Sequence, residues 1–213
     1  MAETRKLPAL ARGSDGRRRC WWGQSTPEYV GYHDEEWGRP VIDDDGLFER
    51  LCLEAFQSGL SWLTILRKRD AFRAAFAGFR INDVARFGAR DVKRLMADAG
   101  IVRNRRKIDA AIENARAAAA LSDDGDSLAG FVWSFRPGRH RAPRSTADLP
   151  AQTPESVALA AGLKARGFRF VGPTTAYALM QACGMVNDHV SGCAVRREVT
   201  DAQRAAIRKL PAR

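Results

Sequence analysis

No apolar run in this 213-residue chain approaches the roughly twenty residues that a membrane-spanning helix needs, and no basic start leads into an apolar signal core. Neither a membrane protein nor a secreted one is expected; the expected compartment is the cytoplasm. Cysteine is sparse. The four residues at 20, 52, 183 and 193 would stay reduced there, which favours metal ligation or core packing over disulfides. Runs of alternating apolar residues are scarce and no internal repeat stands out, so strands are a minority and repeat architectures drop out. What remains is 45% hydrophobic and 28% charged, ordinary for a soluble chain with one generous core or two small lobes.

Acidic residues are outnumbered, 25 against 35 Lys and Arg, which gives a net charge of +10 and suits a polyanionic partner. The distribution is uneven: residues 1–19 and 196–213 carry +4 each and leave +2 for residues 20–195. We therefore expect basic, flexible tails over 1–19 and 196–213 around one folded unit of residues 20–195. The tails read either as solubilising segments or as salt-sensitive grips on a polyanion.

From residue 43 onward the pattern is helical. Asp43-Asp44-Asp45 precede Leu47, Phe48 and Leu51, Asn82 precedes Val84, and Asp91 precedes Leu95 and Met96, each placed to cap a helix. Lys107 to Leu121 is alanine-rich, with Ile108, Ala111, Ile112 and Ala115 at helical spacing, and Ser122-Asp123-Asp124-Gly125 ends it. A further helix starts near Thr153-Pro154-Glu155 and runs toward Lys164. Ser134 to Pro150, with Arg136, Arg139, His140, Arg141 and Arg144 among prolines, reads as a basic surface loop. The fold class is all-α, with two helical lobes flanking a cleft as one arrangement.

Within that pattern Glu54 is out of place. Leu47, Leu51, Glu54 and Ser58 share one helix face, which points an acid to the side that leucines would bury. An ionised carboxylate there costs several kcal/mol unless it is paired, so an unpaired one awaits a cation or a hydrogen-bond donor. Three other constellations carry chemistry. His189 and Cys193 lie one helical turn apart and, with Cys20 and His33, would supply tetrahedral zinc; their spacing alone is a weak signal and favours core packing. Trp21, Trp22, Tyr29, Tyr32 and Trp37, with Trp62 further on, form either an aromatic core or a box for a flat, cationic ligand such as a nucleobase. Finally, Lys164-Ala165-Arg166-Gly167-Phe168-Arg169-Phe170-Val171-Gly172-Pro173-Thr174-Thr175 reads as helix, Gly/Pro turn, helix. The free N–H groups of that turn suit a phosphate oxygen, and Arg103, Arg105, Arg106 and Lys107 add basic charge elsewhere.

Together these segments resemble the 3-methyladenine DNA glycosylase I family of the helix-hairpin-helix DNA glycosylase superfamily. The resemblance runs through Cys20-Trp21-Trp22, Tyr29-x-x-Tyr32-His33-Asp34-Glu35-Glu36-Trp37-Gly38, Cys52-Leu53-Glu54, Gln57-Ser58-Gly59-Leu60-Ser61-Trp62 and Asp98-Ala99-Gly100-Ile101. It continues through Phe131-Val132-Trp133-Ser134-Phe135, Arg166-Gly167-Phe168-x-Phe170-Val171-Gly172 and Met180-Gln181-Ala182-Cys183-Gly184 to Val186-Asn187-Asp188-His189-Val190, nearly all of residues 20–193.

The resemblance implies one structural zinc on Cys20, His33, His189 and Cys193 that joins the N- and C-terminal segments. It implies that Glu54 reads the damaged base, that Tyr32 and Trp62 stack on it and that Trp22, Tyr29 and Trp37 wall the pocket. Leu60 resembles the residue that fills the gap left by the flipped nucleotide, and Gly172, Thr174, Arg166 and Arg169 would hold the backbone of alkylated double-stranded DNA. The implied protein is a monomeric, bacterial-type cytoplasmic base-excision repair enzyme that joins the nucleoid during repair. N3 alkylation makes adenine cationic and weakens its glycosidic bond, so extraction and selection of the base are the main tasks.

Superfamily members that also cut the strand carry a lysine just after the hairpin glycine; here Gly172 leads to Pro173, Thr174 and Thr175, which implies a monofunctional enzyme. Asp188 falls near the superfamily's catalytic aspartate but adjoins His189, and we read it as structural. Phe170 stands where many such hairpins have glycine. The rival reading is a non-catalytic, zinc-stabilised DNA-binding protein with the aromatic cluster as core. A zinc deaminase lacks its His-x-Glu and Pro-Cys-x-x-Cys signatures here.

Overall fold

A computed structural model describes residues 8–123 and 125–210. The outermost parts of the two expected tails, residues 1–7 and 211–213, lie outside the described residues.

The fold is mostly helical. Among the described residues a two-stranded antiparallel hairpin, β1 (Leu10–Arg12) and β2 (Arg18–Cys20), precedes ten α-helices: α1 (Pro27–Glu35), α2 (Asp44–Gln57), α3 (Trp62–Ala75), α4 (Ile81–Ala85), α5 (Ala89–Ala97), α6 (Arg105–Asp123), α7 (Leu128–Trp133), α8 (Pro154–Ala165), α9 (Pro173–Ala182) and α10 (Arg196–Ile207). Where a cap is local, the sequence placed it well. The Asp43 carboxylate accepts from the Gly46 N–H at 2.7 Å to open α2, and Thr153 and Ser156 exchange side-chain and backbone bonds at the start of α8. Two expected caps shift. Asn82 lies inside α4, whose first N–H, on Ile81, is met by Asp45 from α2 at 2.8 Å. Asp91 is the third residue of α5 and reaches back to the Gly88 N–H at 3.1 Å.

Helix α2 is central. Leu47, Phe48 and every residue from Leu51 to Phe56 are buried, so this helix is enclosed on nearly all sides rather than on the one face its leucines mark. It packs against α3, α4, α6, α7 and α9, and the core spreads from it as one continuous apolar cluster. Glu54 is thus carried into the interior by the packing of its neighbours.

The expected tails are structured where they are described. Arg19 is buried, and its guanidinium holds Asp15 through both terminal nitrogens (2.9 and 2.6 Å) and Asp34 through Nε and NH2 (3.0 and 2.8 Å). Arg17 adds a bond to Asp34 at 3.0 Å. At the other end α10 packs Val199 and Ala206 inward, Arg196 donates to the carbonyls of Asn187 and His189, and Glu198 pairs with Arg39 at 2.9 Å. Counting charge along the chain could not anticipate the more distant acidic partner Asp34 or the pairing of Glu198 with Arg39.

Candidate active site and metal centre

Helices α1, α2, α3 and α9 enclose a pocket of ≈ 340 Å³ between them. Its wall is aromatic: Trp22, Tyr29, Tyr32, Trp37 and Trp62, the rings grouped in the sequence, all line it, and so does Trp21. Trp22 stands edge-on to Trp37 and to Tyr29, with ring centroids 4.9 and 5.7 Å apart, while Tyr32 and Trp62 tilt at 44° with centroids at 5.3 Å. The Tyr29 hydroxyl accepts from the Leu63 N–H at 3.1 Å, which fixes the first turn of α3 against α1 and sets Trp62 in place.

Glu54 lines the same pocket and is 6% exposed. Among the described residues no hydrogen bond or ion pair reaches its carboxyl group. Burial pushes its pKa up to about 8, and the charge of Arg50, one turn earlier on α2, only partly offsets that. Arg50 is itself engaged by Glu36 at 2.9 Å, and Glu36 is held on its other side by Arg69. The Tyr32 phenol is also raised, first by burial and then by the charge of Glu54. A second polar group of the pocket is unsatisfied: the Trp62 indole Nε1 is buried with no acceptor. A pocket this apolar with an unpartnered acid and an unpartnered donor could take a flat ligand that brings both kinds of partner.

Cys20, His33, His189 and Cys193 are all buried, and their four ligand atoms lie within 4.8 Å of one another. The His33 Nε2 to His189 Nδ1 distance is 3.2 Å, and the sulfur-to-nitrogen distances are 3.5 Å (Cys193 to His33), 3.6 Å (Cys193 to His189) and 3.8 Å (Cys20 to His189). Tetrahedral bonds of zinc length would put two nitrogens about 3.3 Å apart and a nitrogen and a sulfur about 3.6 Å apart. The outward ring nitrogens are occupied: His33 Nδ1 meets Asp34 Oδ1 at 2.8 Å and His189 Nε2 meets the Trp37 carbonyl at 3.0 Å. Each ring thereby turns its other nitrogen to the centre, the arrangement metal-binding histidines adopt. The Cys193 thiol is held far below its ordinary range, first by its hydrogen bond with Cys20. The four residues could hold a metal ion.

The remaining expected residues fall outside the pocket. Leu60 is 42% exposed in the turn between α2 and α3, flanked by the lining residues Gln57 and Trp62. Gly172 is the N-cap of α9 and Thr174 lies exposed in its first turn, while Ala178 and Gln181 further along the same helix line the pocket. Arg166 caps α8 with its guanidinium 3.9 Å from the Phe131 ring centroid, and Arg169 is exposed with its backbone bonded twice to Asn114 of α6. Phe170 does adopt a left-handed φ of 56°, the conformation a glycine would take there, and Arg106 lies over its ring. Lys107, grouped with exposed basic residues in the sequence, is instead buried; its Nζ donates to the carbonyls of Phe56 (2.8 Å) and Ser58 (2.6 Å) at the end of α2. Asp188 accepts from Tyr177 and Gln181, both at 2.7 Å, and contacts His140 at 2.8 Å. Burial raises its pKa, but these three partners outweigh it and hold the carboxyl below the usual range.

Sequence reasoning missed Ser25, Gln57, Ala178 and Gln181 as lining residues. A signal existed for Gln181, a polar residue in the otherwise apolar stretch Ala178 to Ala182, the same kind of misfit that exposed Glu54.

Comparison with known proteins adds four findings. The family model for methyladenine glycosylase matches residues 21–197. The DNA-3-methyladenine glycosylase 1 of Escherichia coli strain K12 is 49% identical over 177 residues, 82% of this chain and 95% of that protein. Among solved structures, a crystal structure of 3-methyladenine DNA glycosylase I superposes with a TM-score of 0.80 at 49% identity, covering 83% of this chain and 98% of that one. A point variant of another such enzyme, in complex with 3-methyladenine, matches with a TM-score of 0.78 at 34% identity over 82% of this chain and 95% of that one.

Proposed function

This chain belongs to the methyladenine glycosylase family, and from that premise we propose how it works as a DNA-3-methyladenine glycosylase of base-excision repair, a hydrolase of N-glycosyl bonds. The observation that carries the reading is Glu54, a buried and unpartnered carboxyl group in a ring-walled pocket of ≈ 340 Å³, toward the lower end of the about 300–1,000 Å³ typical of small-molecule sites. A silent DNA-binding protein has no use for such a group, since it destabilises the fold and reads nothing.

Extruding the nucleotide costs a few kcal/mol of unstacking. Tyr32 and Trp62 recover part of that by stacking, and a cationic purine gains more than a neutral one from the electron-rich ring faces. As the cation enters, its charge draws the Glu54 pKa down from about 8, and the carboxylate it meets is the counter-charge. The leaving base becomes neutral as the glycosidic bond breaks, so no strong general acid is required, and water captures the sugar cation. No lysine follows Gly172, in keeping with hydrolysis alone and no strand cleavage. Asp188, fully engaged by its three partners, acts as a structural residue.

Helices α8 and α9 with the turn between them serve as the helix-hairpin-helix of a two-lobed fold. Gly172 and Thr174 offer backbone N–H groups to a phosphate, Arg166 and Arg169 flank them, and Leu60 fills the space the base vacates. The tetrad of Cys20, His33, His189 and Cys193 holds one zinc ion, whose closed four-ligand shell ties the chain ends together and leaves no open position for chemistry. The test is release of free bases from dimethyl sulfate-treated duplex DNA, resolved by chromatography. We expect 3-methyladenine to appear; its absence with folded, metal-loaded protein would return the chain to the DNA-binding alternative.

A further inference from the structure

Helix α9 contributes Ala178 and Gln181 to the pocket wall, and the Gln181 amide is not free to present either end. Its Nε2 donates to Asp188 Oδ2 at 2.7 Å. The same oxygen accepts from the Tyr177 hydroxyl at 2.7 Å, and Asp188 Oδ1 lies 2.8 Å from Nε2 of His140. A carboxylate can only accept, so the end of the amide turned toward Asp188 is its nitrogen and the end left over is its carbonyl oxygen. No hydrogen bond from a described residue reaches that oxygen. The wall of rings therefore carries two unsatisfied acceptors, Glu54 from α2 and Gln181 from α9, contributed by neighbouring helices.

We propose that the side-chain carbonyl oxygen of Gln181, fixed by Asp188, is a base-reading acceptor that takes the exocyclic amino group of the extruded purine and so favours 3-methyladenine over 3-methylguanine. The inference rests on the glycosylase reading above. Adenine carries an amino donor at the position where guanine carries the O6 acceptor. An acceptor that cannot rotate gains a hydrogen bond from the first and sets lone pair against lone pair with the second, so the discrimination comes from a repulsive element as well as an attractive one. Asp188 acts here as a positioning residue. Without it the amide could turn and offer its nitrogen to O6, and the discrimination would be lost.

Gln181→Met keeps the length and volume of the side chain and removes the acceptor. With dimethyl sulfate-treated DNA, we expect release of 3-methyladenine to fall about tenfold in kcat/KM, the scale of one lost hydrogen bond, and the ratio of 3-methyladenine to 3-methylguanine released to fall with it. Tyr177→Phe removes a different hydrogen bond from the same carboxylate and should leave that ratio unchanged. A second arm titrates each protein with free 3-methyladenine by tryptophan fluorescence, where Gln181→Met should bind more weakly. An unchanged ratio and unchanged base affinity in folded Gln181→Met would overturn the proposal; so would an equal loss of discrimination in Tyr177→Phe, which would reduce Gln181 to a member of a packing network. If the native protein binds the base and releases none, the glycosylase reading fails while the binding arm still decides the role of Gln181.

Discussion

Glu54 is placed by forces unrelated to its own chemistry: the leucines and phenylalanines of α2 bury the helix, and the acid goes in with them. The consequence is a measurable stability term. Its folded pKa is raised to about 8 from an ordinary 4.5, so between those values the folded state holds a proton that the unfolded state has lost. The group therefore imposes no penalty below about pH 4.5, and a growing one as pH rises toward 8. Glu54→Gln abolishes the titration. We expect the variant and the native protein to melt alike near pH 4.5, and the variant to be more stable by on the order of 5 kcal/mol at pH 8.5, since each pKa unit is worth about 1.4 kcal/mol. Thermal melts of the pair across that range check it; a difference that does not vary with pH would mean that Glu54 has a partner in the folded state. The same change should cost function, lowering 3-methyladenine release by about 10- to 100-fold, because a charge-assisted hydrogen bond is replaced by a neutral one. Stability gained and activity lost at one position is the pattern of a residue retained for its ligand.

Among the elements, α6 has a role that its alanine-rich sequence conceals. Lys107 and Asn114 are seven residues apart, two turns of one helix face, and each holds a segment that carries expected DNA contacts. Lys107 caps the end of α2 just before Leu60, and Asn114 grips the backbone of Arg169 in the turn before α9. Burial lowers the Lys107 pKa, yet its two carbonyl partners make removal costly. Lys107→Met should destabilise the protein by about 1–3 kcal/mol through the carbonyls it strands. Urea unfolding measures this as a lower midpoint at unchanged slope, and an unchanged midpoint would mean water replaces the amine without loss. The helices that the sequence placed best, α2 and α8, have caps supplied by their own neighbours, Asp43 and Thr153. Two of its errors came where the partner is distant in sequence, Asp45 serving Ile81 and α2 receiving Lys107 from half a hundred residues away, while the Asp91 cap shifted by a local rearrangement. The pocket was legible for a related reason, since Glu54 and the clustered rings conflict with their local pattern. Gln57 and Ser25 conflict with nothing, and only the fold brings them to the wall.

For the whole molecule, the two ends are part of the working structure, although much of both falls outside the residues 21–197 that the family model matches. The hairpin of β1 and β2 delivers Arg19 to Asp34, Asp34 orients His33, and α10 begins with Arg196 holding the carbonyl of His189. Both ends thus brace the four candidate metal ligands from outside. These four residues in turn brace the pocket, because Trp37 gives its carbonyl to His189, packs its ring against that imidazole at 4.7 Å and lines the pocket wall. Residues 20 and 189 are 169 apart in sequence, so an ion that joins them closes most of the chain into one loop. By analogy with a cross-link over such a span, this would contribute on the order of 5 kcal/mol. Freshly purified protein should contain about one zinc per chain by elemental analysis. Its removal with a strong chelator should lower Tm by roughly 10 °C or more, shift tryptophan emission to the red as the seat of Trp37 loosens, and weaken 3-methyladenine binding in parallel. A Tm that falls while base affinity holds would confine the ion to clipping the ends. No change in either would make the four residues a packed core, because four soft and nitrogen donors this close lose most when a bound cation is taken from among them.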